Sequence, residues 1–164
     1  MLAKIKEENL KPDAIAGTAT AGISWAAWVA ERLNLPMGYV RSKPKGHGAG
    51  KMVEGLSPDL FSTVKSGLEI LVVEDAFSTG GSSIKSAEAL RSELNASVDN
   101  VLGIFSWDTP AFFTNQTASQ LNMIAFTNFK EIAEALLEAG KISESEKSSL
   151  ERFHTNPSDW WQSN

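Results

Sequence analysis

The stretch ILVVEDAFSTGGSS, residues 70–83, places two carboxylates and a run of hydroxyls and glycines directly after an apolar segment. Two ionised carboxylates side by side repel each other, so Glu74 and Asp75 favour a shared cation or the diol of a sugar. Glycines let the backbone approach an anion, and N–H groups at a helix N-terminus point towards it. The pattern predicts a ligand with a diol or metal at one end and a monophosphate at the other. The alternative is an ordinary helix cap that follows two surface acids.

A second segment, RSKPKGHGAGK at residues 41–51, is basic within an acidic chain. It carries Arg41, Lys43, Lys45 and Lys51 and no acid, whereas the whole chain has a net charge of −5. Such a local excess of cations favours a small polyanionic ligand, and a plain solvated loop is the alternative. Its glycines and its proline disfavour helix and strand, so we expect this loop to be mobile when no anion is bound.

A third polar segment, GTATAG at residues 17–22, has the glycine spacing of a P-loop. Ile23 stands where that motif needs its lysine, so the segment cannot hold a β- or γ-phosphate in the P-loop manner. Its backbone amides could still bind an anion, and a plain turn explains the segment equally well. The sequence GHGAGK at residues 46–51 does not match the dinucleotide-binding fingerprint.

Length and composition bound the class of protein. The chain has 164 residues, enough for one domain, and no apolar run near the ~18 residues of a membrane span. It contains no cysteine, which excludes disulfides and thiolate chemistry and suits a cytoplasmic protein. Its negative net charge argues against general nucleic-acid binding. We therefore expect a cytoplasmic protein with neither membrane nor nucleic acid as a partner.

The polar segments alternate with stretches that predict strands and helices. Residues 68–73 are apolar apart from Glu69, which is typical of a strand buried in a parallel sheet. Over residues 23–34, Trp25, Trp28 and Val29 fall on one face of a predicted helix. The predicted strands are 13–16, 37–40, 68–73, 101–105 and 123–126, and the predicted helices are 2–9, 23–34, 82–94, 111–121, 129–139 and 143–153. This alternation predicts an α/β fold with a mostly parallel central sheet flanked by helices. The three polar segments then follow the carboxyl ends of strands, where such sheets bind ligands.

Two of these motifs carry a resemblance to a known family. VVEDAFSTGGSS, residues 72–83, resembles the 5-phosphoribosyl-1-pyrophosphate (PRPP) signature of the type I phosphoribosyltransferases. Residues 14–55, from AIAGTATAG through YVRSKPKGHGAG, are similar to the orotate phosphoribosyltransferase branch, as are the C-terminal helices ending near NPSDW. The resemblance implies transfer of phosphoribosyl from PRPP to orotate, giving orotidine 5′-monophosphate and pyrophosphate. The alternatives are a transferase for another base and a catalytically reduced PRPP-binding regulatory module.

The resemblance also implies roles for individual residues. Lys45, His47 and Asp75 would be catalytic, and Ser78 would also contact orotate. The residues matching those that bind PRPP are Arg41, Lys45, His47, Glu74, Asp75, Ala76, Phe77, Ser78, Thr79, Gly80, Gly81 and Ser82. The pyrophosphate loop would be Gly17, Thr18, Ala19, Thr20, Ala21 and Gly22, and the peptide between Ala19 and Thr20 would be cis or otherwise unusual.

Further expectations concern the metal, the assembly and the N-terminus. Mg²⁺ would arrive with PRPP, without a metal ligand assigned to the chain itself. Lys45 and His47 belong, in this family, to a loop that enters the neighbouring subunit's site, so a homodimer is implied. Two departures stand out: Ala21 occupies a position where some members have a lysine, and the chain starts after the segment that forms a hood over the orotate. We therefore expect a single phosphoribosyltransferase domain over residues 1–164 without that hood.

Overall fold

A computed structural model of the protein describes residues 1–44, 50–61 and 67–156. Seven strands and six α-helices follow one another along the described chain, with one short 3₁₀ helix at Pro58–Phe61. The strands are β1 (Ala14–Thr18), β2 (Met37–Val40), β3 (Val53–Glu54), β4 (Ile70–Val73), β5 (Ala76–Phe77), β6 (Asn100–Ser106) and β7 (Asn122–Asn128). The helices are α1 (Leu2–Glu7), α2 (Gly22–Leu33), α3 (Gly81–Leu94), α4 (Pro110–Ser119), α5 (Phe129–Glu138) and α6 (Glu144–Thr155).

The strands form one sheet whose pairings are parallel apart from that of β2 with β3. The order across the sheet is β3-β2-β1-β4-β6, and β7 lies along the outer edge of β6. Both β4 and β5 pair with β6, first at Val101–Leu102 and then at Phe105–Ser106. Since β7 occupies the other edge of β6, β5 continues the line of β4 after an interruption at Glu74 and Asp75. The predicted α/β fold with a mostly parallel sheet is confirmed.

The core lies on both faces of the central strands, because successive strand side chains point to opposite faces. All residues of β1 and β4 are buried. Ile70 and Val72 pack in the cluster that includes α3, whereas Leu71 and Val73 pack in the cluster that includes α2. This two-sided burial explains why the sequence before Glu74 is apolar at each of its last four positions. The strand begins at Ile70, two residues later than predicted.

Helix α2 differs from its predicted orientation. Its buried residues include Ala26, Val29 and Ala30, so small side chains face the sheet. Trp28, which the sequence pattern grouped with Trp25 and Val29 on one apolar face, is 61% exposed. Its ring packs edge-on against Trp25, with ring centroids 5.1 Å apart. The helix therefore approaches the sheet through its small residues, and the bulky ring remains outside.

The last helix, α6, contacts the start of α5 and the residue after β6 through His154. Its ring stacks on Phe129 with centroids 4.5 Å apart, and its Nε2 contacts the carbonyl oxygen of Trp107. Gly140 follows α5 with a φ of 63°, as expected for a residue that ends a helix. None of the helices in the described ranges is both long and apolar enough to cross a membrane.

Candidate active site

The structure brings the ends of the three predicted polar segments together at the carboxyl edge of the sheet. One cavity of about 120 Å³ is lined by Thr18 and Ala19 after β1, by Arg41 after β2, and by Ser82 on α3. A second cavity of about 90 Å³ is lined by Glu74 and by residues 78–83, with Ser82 again among them. The two cavities therefore meet at Ser82. An elongated ligand could place one end in each of them.

The acidic pair lies where β4 leaves the sheet, at the interruption between β4 and β5. The Glu74 N–H donates to the Leu102 carbonyl, at 3.0 Å, and the Asp75 N–H donates to Glu74 Oε1, at 3.2 Å. Glu74 is only 5% exposed, and its Oε2 is buried without a hydrogen-bond partner among the described residues. An oxygen in that position is available to a hydroxyl donor or a cation.

Burial, together with the neighbouring Asp75, raises the pKa of Glu74 to about 8. At neutral pH, Glu74 is therefore mostly protonated. The expectation of two ionised carboxylates is wrong for this residue, because the sequence does not show how deeply the end of β4 is buried. A protonated carboxyl can donate as well as accept, which suits a contact with a sugar hydroxyl.

The two helices that begin at this site lack side-chain caps at their N-termini. Ala21 precedes α2 and Gly80 precedes α3, and neither helix has a side-chain hydrogen bond at its cap. In contrast, α4, α5 and α6 are capped by the side chains of Thr109, Asn128 and Ser143. The first N–H groups of a helix need partners, and an anion can supply them. The uncapped ends of α2 and α3 are therefore suited to bind anionic groups.

The loop between β1 and α2 has the unusual backbone that the family resemblance implies. The peptide between Ala19 and Thr20 is cis, as predicted, and the Ala19 N–H donates to the Val40 carbonyl at 2.9 Å. Below the loop, the Thr18 and Ser86 hydroxyls lie 3.2 Å apart and are buried. This contact joins the strand before the loop to the helix of the second cavity.

The basic segment is described only at its two ends. Lys45 and His47 lie outside the described residues, as do positions 46, 48 and 49. Arg41 lines the first cavity, its Nη1 is 3.7 Å from Glu54 Oε1, and its Nε has no hydrogen-bond partner within the described ranges. The predictions that concern the mobility of the loop and the contacts of Lys45 and His47 remain predictions.

The far end of the basic segment is held by a residue that sequence reasoning missed. The carboxylate of Glu93, on α3, accepts from the N–H groups of Met52 and Val53, at 2.8 and 3.2 Å. The partners lie about 40 residues apart in the chain, so no local pattern indicates the contact.

The first cavity also contains a cation that the sequence analysis did not single out. Lys85 lines it together with Arg41, Ser42 and Ser86. Lys85 stands three positions after Ser82 on α3, so the two side chains share a helix face. The spacing between Ser82 and Lys85 could therefore have identified Lys85 from the sequence. No carboxylate forms an ion pair with Lys85 in the part of the chain that the structure describes.

A larger cavity, of about 260 Å³, lies between α4, β7 and α5 and does not include the predicted site. Its acidic groups are already paired locally. Ser106 donates to Asp108 at 2.5 Å, and Glu131 forms the capping box of α5 with Asn128. None of the buried side-chain atoms left without a partner in the described residues lines it. Size alone therefore does not make it the candidate site.

The carboxylates at the site could hold a metal ion only if a bound ligand supplied further donor atoms. Glu74 and Asp75 supply carboxylate oxygens, which Mg²⁺ prefers, and one of these oxygens is buried and unpaired. However, the described residues contain no cluster of three or more His, Cys, Asp or Glu side chains that could hold a metal. Mg²⁺ is often bound by one or two carboxylates together with substrate phosphates, and the pair fits that arrangement.

Comparison with known proteins identifies the family. A model of the phosphoribosyl transferase domain matches residues 1–101. The orotate phosphoribosyltransferase of Enterococcus faecalis is 41% identical over 160 residues, which cover 98% of this chain and 72% of the relative. The chain belongs to the orotate phosphoribosyltransferase family.

Two further members of the orotate phosphoribosyltransferase family agree with this assignment. The enzyme of Oceanobacillus iheyensis is 43% identical over 149 residues, which cover 91% of this chain and 70% of the relative. The crystal structure of the Aeropyrum pernix orotate phosphoribosyltransferase aligns with a TM-score of 0.64 at 32% identity, covering 81% of this chain and 68% of that one. The chain thus spans about 70% of the length of these family members, and the predicted type I phosphoribosyltransferase fold is confirmed.

Proposed function

We propose that the chain transfers phosphoribosyl from PRPP to orotate, forming orotidine 5′-monophosphate and pyrophosphate. The observation that carries the proposal is the pair of cavities that meet at Ser82. One cavity combines Glu74 with residues 78–82, called here the phosphate segment, and the other combines Arg41 with Thr18 and Ala19 of the loop after β1. PRPP has a ribose diol, a 5′-phosphate and a pyrophosphate, and this arrangement offers each group a fitting partner.

At the first end of PRPP, Glu74 and Asp75 bind the ribose hydroxyls. Residues 78–82 bind the 5′-phosphate through backbone N–H groups and hydroxyls, at the uncapped N-terminus of α3. Ser78, at the start of this segment, also contacts orotate. Since α3 has no side-chain cap, the phosphate competes with no protein group for these donors.

At the other end, residues 17–22 and Arg41 bind the pyrophosphate, together with Lys45 and His47. We add Lys85 to this set, because it lines the same cavity as Arg41. Negative charge develops on pyrophosphate as its bond to the anomeric carbon breaks, and cations already in place stabilise that charge. The ribose meanwhile approaches an oxocarbenium-like state, and Asp75 is positioned to balance its positive charge.

Mg²⁺ bound with PRPP would be held by the acidic pair and would supply further positive charge to the leaving pyrophosphate. The cation would lower the pKa of Glu74, so that Glu74 would hold it as a carboxylate. Glu74 lines the second cavity together with residues 78–82, and Asp75 follows it directly in the chain. Each active site is completed by Lys45 and His47 of a second copy of the chain, in a homodimer. Residues 1–164 form a single domain in this proposal.

The decisive experiment measures binding and turnover separately. Calorimetry of the full chain with PRPP and Mg²⁺ should show binding, and orotate should be consumed only when PRPP is present. Adenine and uracil, offered in place of orotate, should not react. PRPP binding without turnover of any base would instead indicate a regulatory module, and no binding would contradict the proposal altogether.

Single substitutions test the proposed roles of individual residues. Asp75→Asn should lower kcat/KM by about 100-fold or more, because it removes charge next to the reacting ribose. Lys85→Ala should raise the KM for PRPP by about tenfold, as expected for one lost charged contact, with Lys85→Arg retaining most of the affinity. Lys130→Ala, on α5 and outside both cavities, is the control and should behave as the wild type.

A further inference from the structure

Helix α4 holds the phosphate segment from outside the cavity. The Thr109 hydroxyl donates to the Ser78 carbonyl at 2.9 Å, and the Asn115 side-chain amide donates to the Thr79 carbonyl at 2.9 Å. Neither Thr109 nor Asn115 lines the phosphate cavity. Gly80 also lies close to α4, since a Cβ there would be 3.6 Å from Cδ2 of Phe112.

These contacts fix the directions of two N–H groups as well as those of the two carbonyl groups. In a planar trans peptide, the C=O and the N–H of one unit point in opposite directions. The Ser78 carbonyl shares its peptide unit with the Thr79 N–H, and the Thr79 carbonyl shares its unit with the Gly80 N–H. When α4 holds both carbonyls on its own side, both N–H groups must point away from α4. Neither N–H has a hydrogen-bond partner among the described residues.

We propose that Thr109 and Asn115 are positioning residues for PRPP: they hold two carbonyls out of the phosphate site, so that the N–H groups of Thr79 and Gly80 meet the 5′-phosphate. The inference rests on the proposed function. A carbonyl turned towards the phosphate would present its negative end to an anion. Without the α4 contacts, the two peptide units can rotate, and binding must then select the minority of molecules with the correct orientation.

The two residues differ in how cleanly they test the idea. Thr109 also caps α4, where its hydroxyl accepts from the Phe112 N–H at 3.1 Å, so its removal weakens the helix as well. The Asn115 side chain makes the contact with Thr79 and no second hydrogen bond within the described residues. Asn115 is therefore the decisive position, and Thr109→Ser, which keeps the hydroxyl, is the conservative variant at the other.

The experiment compares three probes, each with Mg²⁺, by calorimetry: PRPP, ribose 5-phosphate and inorganic pyrophosphate. Asn115→Ala, and Asn115→Asp, which keeps the shape but cannot donate, should weaken PRPP and ribose 5-phosphate binding about three- to tenfold. Pyrophosphate binding and the Tm should stay unchanged. Gln116→Ala and Thr114→Val on the same helix are matched controls, because the Thr114 hydroxyl donates only to the Pro110 carbonyl.

Each alternative outcome has a distinct meaning. Equal affinity of the wild type and the Asn115 variants for PRPP would overturn the inference and leave the proposed function standing. A lower Tm together with equal loss of PRPP and pyrophosphate binding would also overturn it, since Asn115 would then act on the whole fold. A wild-type chain that binds neither PRPP nor ribose 5-phosphate would overturn the proposed function and, with it, this inference.

Discussion

Gly22 lies directly against the carbonyl oxygen of Val73: a Cβ at Gly22 would be 2.5 Å from that oxygen. The contact brings the start of α2 to the end of β4, beside Glu74. Gly22→Ala should therefore push the helix away and lower the free energy of unfolding by about 1–3 kcal/mol, as overpacking does. Urea denaturation measures the change, and the affinity for pyrophosphate should fall in parallel.

Gly81→Ala is the matched control for stability, because Gly81 is also the first residue of a helix at the site. A Cβ there would meet only Thr79 Oγ1, at 3.5 Å, which is an ordinary contact. Alanine favours a helix by up to about 1 kcal/mol over glycine, so this variant should be at least as stable as the wild type. Equal stability of the two variants would show that the approach of α2 to β4 is not as close as described.

The raised pKa of Glu74 predicts a pH-dependent stability. At a pH below 4.5, its usual pKa, Glu74 is protonated in both the folded and the unfolded protein. Between pH 4.5 and about pH 8, Glu74 is ionised only in the unfolded protein. The wild type should therefore lose stability as the pH rises through this range. Glu74→Gln, which cannot ionise, should gain roughly 1–3 kcal/mol relative to the wild type between pH 5 and pH 8.5. A constant difference between the two proteins over that range would mean that Glu74 ionises normally.

The contacts of Glu93 with Met52 and Val53 hold the chain directly after the basic segment. Glu93→Gln replaces one of the two acceptor oxygens by an amide group, so one of its two backbone contacts is lost. Hydrogen exchange at the Met52 and Val53 amides should become about five- to tenfold faster. Glu88→Gln, exposed on the same helix, is the control and should leave both rates unchanged. Unchanged exchange in Glu93→Gln would remove this residue from the description of the loop.

The proposed homodimer predicts complementation between two inactive variants. If Lys45 acts in the partner's site and Asp75 in its own, Lys45→Ala and Asp75→Ala homodimers should both be nearly inactive. Random exchange of subunits makes about half of the dimers mixed, each with one intact site, so about a quarter of the wild-type activity should return. Subunit exchange without recovery would place Lys45 in its own subunit's site, or outside catalysis.

The general architecture could be predicted because its signals are local. The apolar run ending at Val73 indicates a buried strand. The two acids and the glycine turn that follow it indicate a ligand site and the start of a helix. The strands β3 and β5 were missed because each is two residues long and depends on its neighbours for pairing. The exposure of Trp28 was missed for a related reason: helical periodicity shows which residues share a face, but small residues decided which face met the sheet.

The parts of the site that sequence reasoning missed depend on tertiary contacts. Thr109 and Asn115 reach the phosphate segment across 31 and 36 residues. No spacing rule joins positions so far apart. The protonation of Glu74 likewise depends on the packing of strands around it, which composition does not reveal. Sequence patterns therefore indicated the groups that we propose to contact the ligand, but not the groups that we propose to orient them.

Because α2 and α3 lack side-chain caps, we expect bound substrate to stabilise the folded protein. In the proposed complex, the phosphates of the substrate supply partners for N–H groups at these two helix ends, so ligand binding and folding are linked equilibria. A ligand at 100 times its Kd adds about 2.7 kcal/mol to the free energy of unfolding, a large share of the 5–15 kcal/mol typical of a domain. In a cell short of PRPP, the chain would unfold more often and become a better substrate for proteases. The abundance of the protein would then follow the supply of its own substrate, without any regulator.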